Sequence, residues 1–271
     1  FTGSCDKAAF EARCRQHDFW YHSYYFDNGF AQAGDYDIAR DGHQYRFPED
    51  LQGKTVLDIG TGSGWFSTYF EQQGARVTTV DVRGYCDFDV FGRDRNPPVT
   101  EEKASPDRIL EDGRAVYYSP VSGGFWAMKE LLGLQVEYVN GRVYEIGPEL
   151  LGPRTFDLVF MGSVLMHLRD PIGAMMAAHR ACGHQFIATT YMLPDDPSRP
   201  EPIMRMWENA AGGANWWVPN RACLEQWIKA AGFSRFSIDH TLTLTADMPY
   251  VDPHGRSSGV TQTQQLIHAF V

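Results

Sequence analysis

Short apolar runs alternate with amphipathic stretches along this chain. In "LQGKTVLDIG" the run that ends at Ile59 is short and β-branched, which favours a buried parallel strand. Residues 65–73 then have the spacing of a helix, and "ARVTTVD" forms a second apolar run that ends at Asp81. The pattern therefore predicts a β–α–β unit over residues 54–81.

The same alternation continues towards the C-terminus. Three further strands are predicted in "LQVEYV", "FDLVFMG" and "HQFIATTYM", and two late strands in "FSRFSIDH" and "QQLIHAFV". Helices are predicted at residues 5–25, 125–132, 171–181 and 221–232. This order is typical of an α/β fold with a doubly wound, mostly parallel sheet. We predict one domain over residues 1–271, in which residues 1–50 form a helical lid segment.

Two long segments interrupt the alternation. Residues 83–122 are rich in Asp, Arg, Gly and Pro, and residues 194–219 contain several prolines and tryptophans. Loops of this length in a compact domain usually carry function. We predict that 83–122 is an insertion after the second strand, that 194–219 is a substrate loop, and that both close over the binding site.

Composition narrows the class of protein. The formal net charge of −10 argues against a large nucleic-acid surface, which needs clustered Lys and Arg. No run of eighteen apolar residues is present, so we expect no membrane span. The five cysteines are scattered without a CxxC spacing, which favours a cytoplasmic protein without a metal site.

The turn after the first strand, "LDIGTGSGWF", indicates a ligand site. Its glycines are Gly60, Gly62 and Gly64, one residue short of the GxGxxG spacing of dinucleotide sites. Glycine lets a ligand lie close to the backbone. Asp81 follows about twenty residues on, at the end of the next strand, where a carboxylate accepts hydrogen bonds from ribose hydroxyls. The pair predicts a ligand that contains ribose.

"VLDIGTGSGWF" followed by "VTTVD" resembles two motifs of class I S-adenosylmethionine-dependent methyltransferases. The resemblance implies a Rossmann-like sheet of seven strands with an antiparallel last strand. It also implies S-adenosyl-L-methionine as cofactor and S-adenosyl-L-homocysteine as product. The implied cofactor-binding residues are Asp58, Gly60, Thr61, Gly62, Gly64, Trp65, Asp81, Val82, Met161 and Gly162.

A narrower resemblance rests on blocks such as "WYHSYYFDNGFAQAGDYD" and "FDLVFMGSVLMHLRDP". These blocks are similar to the group around the tRNA wobble-uridine carboxymethyltransferase, which includes many small-molecule relatives. That group usually has a tyrosine before the histidine that follows strand four, to hold the extra carboxylate of carboxy-S-adenosylmethionine. Here that residue is Met166, whose thioether cannot donate a hydrogen bond. Ordinary S-adenosylmethionine is therefore favoured.

His167 is the candidate catalytic residue, because it lies just beyond strand four at the cofactor edge. It is either a general base or a brace for its loop, and the sequence leaves both open. The residues expected to bind the substrate are Tyr21, His22, Met166, Asn215, Trp216 and Trp217.

The favoured function is methyl transfer to O, N or C of a small molecule, in specialised metabolism. Two alternatives remain: a non-methyl use of the cofactor, such as intramolecular cyclisation or aminocarboxypropyl transfer, and modification of the tRNA wobble uridine. The sequence decides neither the acceptor nor the oligomeric state.

Overall fold

A computed structural model gives the fold. It describes residues 1–3, 6–17, 20–82, 89, 120–207, 215–245 and 261–271, and the backbone of four short strands between them. The predicted insertion at 83–122 therefore lies largely outside the described residues, as do residues 208–214 of the predicted substrate loop.

Among the described residues, seven strands form the central sheet. They are β1 (Thr55–Ile59), β2 (Arg76–Asp81), β3 (Glu137–Asn140), β4 (Phe156–Met161), β5 (Cys182–Thr190), β6 (Arg235–Thr245) and β7 (Thr261–Phe270). Their order across the sheet is β6-β7-β5-β4-β1-β2-β3. Strands β1 to β5 pair in parallel, whereas β7 lies antiparallel between β5 and β6. This confirms the predicted fold class, with the antiparallel last strand one position in from the edge.

The sheet is covered on both faces. The helices are α1 (Lys7–Cys14), α2 (Ile38–Asp41), α3 (Trp65–Gln72), α4 (Pro120–Leu132), α5 (Pro148–Leu151), α6 (Pro171–Ala181) and α7 (Arg221–Ala230). One buried cluster packs around Phe70, Phe125 and Phe160, and a second packs around Met175 and Trp227. Because β1 is covered on both sides, its side chains from Val56 to Ile59 are all buried.

Short elements complete the described part of the chain. Single helical turns span Gly42–Tyr45, Val143–Glu145 and Leu165–His167. Short antiparallel strand pairs join Tyr24–Tyr25 to Ala31–Gln32, Arg108–Ile109 to Ala115–Val116, Met204–Met206 to Trp217–Pro219, and Tyr250–Val251 to Ser257–Ser258. None of the helices in the described ranges has the length and hydropathy needed to cross a lipid bilayer.

The prediction of one helix over residues 5–25 is wrong. Helix α1 ends at Cys14, and the chain from Trp20 onward is extended. Backbone bonds pair this stretch with a later one, since Ser23 N donates to Tyr36 O and Tyr36 N donates to Tyr21 O. The aromatic side chains here are buried in the core beside the sheet, so tertiary packing overrides the local helical pattern.

Other element ends differ by a few residues. Helix α4 begins at Pro120, before the predicted Phe125, and β6 continues to Thr245. The helix predicted at 171–181 is present as α6, where Pro171 occupies the first turn and Asp170 Oδ1 accepts from Gly173 N at 2.8 Å.

The carboxyl ends of β1 to β5 meet at one edge of the sheet. Strand order reverses between β1 and β4, because β2 lies on one side of β1 and β4 on the other. A crevice at such a reversal is the usual ligand site of an open α/β sheet.

Candidate active site

A cavity of about 320 Å³ opens at this crevice. Its size falls in the range of about 300–1,000 Å³ that small-molecule sites occupy. The turns after β1, β2, β3 and β4 line it, together with the N-terminal segment and Leu244 of β6. The edge predicted from the sequence therefore holds a concave site that is open to solvent on one side.

The glycine turn forms the floor of the cavity. Gly60, Gly62 and Gly64 all have positive φ angles, of 76°, 57° and 88°. A Cβ at Gly60 would lie 2.6 Å from Val164 Cγ2, so a larger residue at this position would both strain the backbone and clash. These glycines explain how the chain turns sharply from β1 into α3.

Asp81 closes the floor at the end of β2. Its two carboxylate oxygens accept from Gly62 N at 3.1 Å and from Val82 N at 2.8 Å. Burial raises the pKa of Asp81 to about 6. The backbone thus fixes a carboxylate in the cavity wall, and each oxygen retains lone pairs for a ligand.

Asp58 has a different position from Asp81. It is buried and outside the cavity lining, and its Oδ2 accepts from Ser67 Oγ at 2.6 Å. Because the Ser67 proton is used there, Thr61 Oγ1 donates to Ser67 Oγ at 2.9 Å. Burial raises the pKa of Asp58 to about 6. Asp58 therefore ties the glycine turn to α3.

The described residues fit an adenosine-containing cofactor. The floor at Gly62 and Asp81 continues into the turn after β3, where Gly141 N donates to Asp81 O at 3.0 Å. Val82 and Val143 add apolar lining on this side. Asp81, a carboxylate suited to ribose hydroxyls, therefore lies next to apolar side chains suited to the adenine ring.

The opposite side of the cavity is lined mainly by aromatic and imidazole groups. Tyr21, His22, Tyr36 and Tyr45 come from the N-terminal segment. Burial raises the pKa of each tyrosine and lowers the pKa of His22 to about 3. These four side chains are therefore uncharged at neutral pH.

Ser63 joins the N-terminal segment to the glycine turn. Its Oγ accepts from His22 N at 3.0 Å and lies 3.1 Å from His22 Nδ1, while its carbonyl accepts from Tyr24 Oη at 2.7 Å. Among the described residues, His22 Nδ1 is the only acceptor within reach of the Ser63 hydroxyl proton. This bond leaves the ring proton of His22 on Nε2.

Ser163 has a left-handed backbone, with φ of 57°, directly after β4. Its N–H donates to Thr189 Oγ1 and its Oγ donates to Gln264 Oε1, both at 2.7 Å. Strands β5 and β7 thus hold Ser163 in a conformation that L-residues rarely adopt. Strain of this kind accumulates at ligand-contacting sites.

His167 lines the cavity from the single turn Leu165–His167. Met166 beside it is buried outside the lining, and its carbonyl accepts from Trp216 N at 2.8 Å. Trp217 Nε1 donates to Arg169 O at 2.9 Å. The two tryptophans therefore brace the loop that carries His167.

The structure separates the predicted site residues into two groups. The cavity lining includes Tyr21, His22, Gly60, Gly62, Asp81, Val82, Gly162 and His167. It does not include Asp58, Thr61, Gly64, Trp65, Met161, Met166, Asn215, Trp216 or Trp217. Trp65, for example, stacks on Tyr69 at a centroid distance of 5.5 Å, away from the cavity.

Several residues that line the cavity were not predicted from the sequence. They are Ile38, Tyr36, Tyr45, Asp89, Arg142, Val143, Tyr144, Leu168 and Leu244, among others. A signal existed only for Arg142 and Val143, which follow a predicted strand at the ligand edge. The described residues contain no group of three His, Cys, Asp or Glu arranged to hold a metal ion.

Comparison with known proteins is consistent with this geometry. A family model described as "Methyltransferase domain" matches residues 30–237, which is more than half of the 271-residue chain. A tRNA U34 carboxymethyltransferase of Pseudoalteromonas translucida is 27% identical over 205 residues, covering 73% of this chain and 50% of that protein. Its counterpart in Trichodesmium erythraeum is 29% identical over 126 residues, covering 43% and 36%.

The chain thus spans at most about half the length of these curated relatives. Among solved structures, the N-terminal domain of EvdMO1 with S-adenosylhomocysteine bound superposes with a TM-score of 0.58 at 16% identity, covering 98% of both chains. That likeness establishes the fold. The family match shows that the chain belongs to the methyltransferase domain family.

Proposed function

We propose that this enzyme transfers the methyl group of S-adenosylmethionine to O, N or C of a small molecule. The observation that carries the proposal is the shape of the cavity, in which an uncharged aromatic wall faces the carboxylate and glycine floor. A concave site of this size suits a small acceptor, whereas a polynucleotide needs an extended basic surface.

In this proposal the carboxylate and glycine floor binds the cofactor, and the aromatic wall binds the acceptor. Asp81 accepts hydrogen bonds from the ribose hydroxyls, and Gly60 and Gly62 allow the backbone to approach the cofactor. When bound, the cofactor supplies an electrophilic methyl group on a sulfonium. Tyr21, Tyr36 and Tyr45 hold the acceptor in line with that methyl group, and this alignment supplies much of the rate.

An acceptor hydroxyl or amine loses a proton as it is methylated. With a pKa of about 3, His22 is too weak a base to take that proton at neutral pH. The tyrosines stay protonated because burial raises the pKa of each. His167 is the remaining imidazole of the described lining, so it is the proposed base for an acceptor that requires one.

Product analysis tests the proposal. The protein is incubated with S-adenosylmethionine and panels of sugars and phenols, and the products are separated by mass spectrometry. A deoxyhexose is a sensible first member, because the EvdMO1 domain was also crystallised in the presence of S-adenosylhomocysteine and D-fucose. S-adenosylhomocysteine together with a methylated acceptor supports the proposal. Methylthioadenosine in place of S-adenosylhomocysteine would instead support cyclisation or aminocarboxypropyl transfer.

Modification of the tRNA wobble uridine is the second candidate, because the curated relatives are named for that activity. The net charge of −10 weighs against it, because a tRNA-binding surface needs clustered basic residues.

A further inference from the structure

Asp89 belongs to the insertion after β2 and lines the cavity. Three loops hold it there. The Tyr144 hydroxyl and the Arg169 N–H both donate to Asp89 Oδ2, the second at 3.0 Å, and Trp216 Nε1 donates to the Asp89 carbonyl at 2.6 Å. The loops after β3, β4 and β5 therefore all fix the position of this one carboxylate.

The second oxygen of this carboxylate is available to a ligand. Oδ1 has no hydrogen-bond partner among the described residues, whereas Oδ2 has two donors. Burial and the neighbouring Asp89 raise the pKa of Tyr144, so its hydroxyl remains a donor. An ionised carboxylate only accepts hydrogen bonds, so its partner in the cavity has to present an N–H or O–H group.

The position of Asp89 indicates which part of the cofactor it meets. Tyr144 directly follows Gly141, Arg142 and Val143, which continue the floor outward from Asp81. The acceptor wall, with Tyr21 and Tyr45, lies on the other side of the glycine turn. With the ribose on Asp81, the adenine base extends towards the β3 side, between apolar groups such as Val82 and Val143. On adenine, the donor available to a carboxylate is the exocyclic amine.

We infer that Asp89 is a specificity-determining residue that accepts a hydrogen bond from the exocyclic amine of the cofactor's adenine. The inference rests on the cofactor site of the proposed function, but it is independent of the acceptor. It assigns a role to Asp89, which supplies the group that recognises the base.

This arrangement selects against a 6-oxo base. In S-inosylhomocysteine a carbonyl replaces the amine, so two acceptors would face each other. In Asp89→Asn, the Tyr144 hydroxyl and the Arg169 N–H would hold the amide oxygen, which turns the amide N–H₂ towards the ligand. That group donates, so the variant should favour the carbonyl over the amine.

Calorimetry with S-adenosylhomocysteine and S-inosylhomocysteine tests the inference. The unmodified protein should prefer S-adenosylhomocysteine by at least about tenfold, since a site built to accept a hydrogen bond rejects an analogue without the donor. In Asp89→Asn this ratio should fall by at least about tenfold. Asp157→Asn is the matched control, because Asp157 bonds Thr55 and lies outside the cavity lining. Its ratio should equal that of the unmodified protein.

Three results would overturn the inference. Equal affinity of the unmodified protein for both nucleosides would do so, and this measurement needs no variant to fold. An Asp89→Asn protein that binds both more weakly by the same factor would show that Asp89 only braces the loops. Failure to bind either nucleoside would overturn the cofactor site as well. Failure to find an acceptor, by contrast, would leave the measured ratio unaffected.

Discussion

Two carboxylates flank the glycine turn, the buried Asp58 and the partly buried Asp81, and their hydrogen-bond partners indicate different roles. Asp58 accepts from the hydroxyl of Ser67, whereas Asp81 accepts from backbone N–H groups and lines the cavity. Removing Asp58 should therefore loosen the turn, and removing Asp81 should remove a ligand contact from a turn that stays folded.

Asp81→Ala should weaken binding of S-adenosylhomocysteine by roughly 2–4 kcal/mol, because two ribose hydroxyls lose a charged acceptor. Calorimetry on the folded variant measures the loss. Unchanged affinity would remove Asp81 from the proposed ribose site.

The raised pKa of Asp81 predicts a pH dependence. The ribose hydroxyls need the ionised carboxylate, so affinity should fall by up to about tenfold per pH unit as the pH drops below about 6. The ligand-free protein should respond in the opposite direction. A raised carboxyl pKa favours the protonated form, so its contribution to folding stability is present at low pH and is lost as the pH rises through about 6. Titrations between about pH 4 and 8 test both trends, because the pKa of Asp81 is raised from 3.8 to about 6. Asp81→Asn should reduce the pH dependence of binding.

His167→Asn separates its two candidate roles. If His167 is the base, turnover should fall by at least about a hundredfold while cofactor affinity is unchanged. If it braces the loop, the melting temperature should fall and activity should decrease modestly, since one hydrogen bond contributes about 1 kcal/mol. Full activity combined with full stability would contradict both roles.

Local patterns in the sequence identified the floor of the site but not its walls. Gly60, Gly62 and Asp81 could be predicted because a glycine turn and the end of a strand are recognised from the few residues around them. Asp89 and Tyr45 could not, because their place in the cavity depends on contacts with chain more than fifty residues away. Trp216 was expected to line the pocket, yet its indole N–H is used to hold Asp89.

At the scale of elements, the loop after β4 contains a strained backbone conformation that hydrogen bonds from two strands stabilise. Ser163 is left-handed, and bonds to Thr189 and Gln264 maintain it. The predicted strand and the helix after it were found, but the conformation between them depends on β5 and β7. Local sequence patterns do not contain that information.

Ser163→Gly and Ser163→Ala form a matched pair, since both lose the hydroxyl and differ only in the Cβ. Glycine adopts a positive φ without the steric cost that alanine pays, so Ser163→Gly should be the more stable variant by about 1 kcal/mol. Denaturant unfolding of both proteins measures the difference. Equal stabilities would show that the backbone at this position carries no strain.

For the whole molecule, net charge influences which ligands can approach the site. The chain carries 34 acidic and 24 basic residues, so long-range electrostatics repel a polyanion.

Binding of bulk tRNA should therefore be weak, with a shallow dependence on salt, because few phosphates would be neutralised. Fluorescence anisotropy with labelled tRNA between about 50 and 200 mM salt makes the measurement. Tight binding with a steep salt slope would support the tRNA activity instead.

The hydrogen bonds at Ser63 attach the N-terminal segment to the glycine turn. Because both belong to one chain, this contact behaves like the binding of a tethered ligand. His22 and Tyr24 contribute bonds to one serine, and the covalent link to the rest of the domain gives them a high effective concentration at that serine. Opening the cavity on this side would break all of these bonds while keeping the segment nearby, so recapture would be fast compared with diffusion of a separate partner. If the acceptor wall parted for exchange of small molecules, the tether would therefore return it to Ser63 without a search through the solvent.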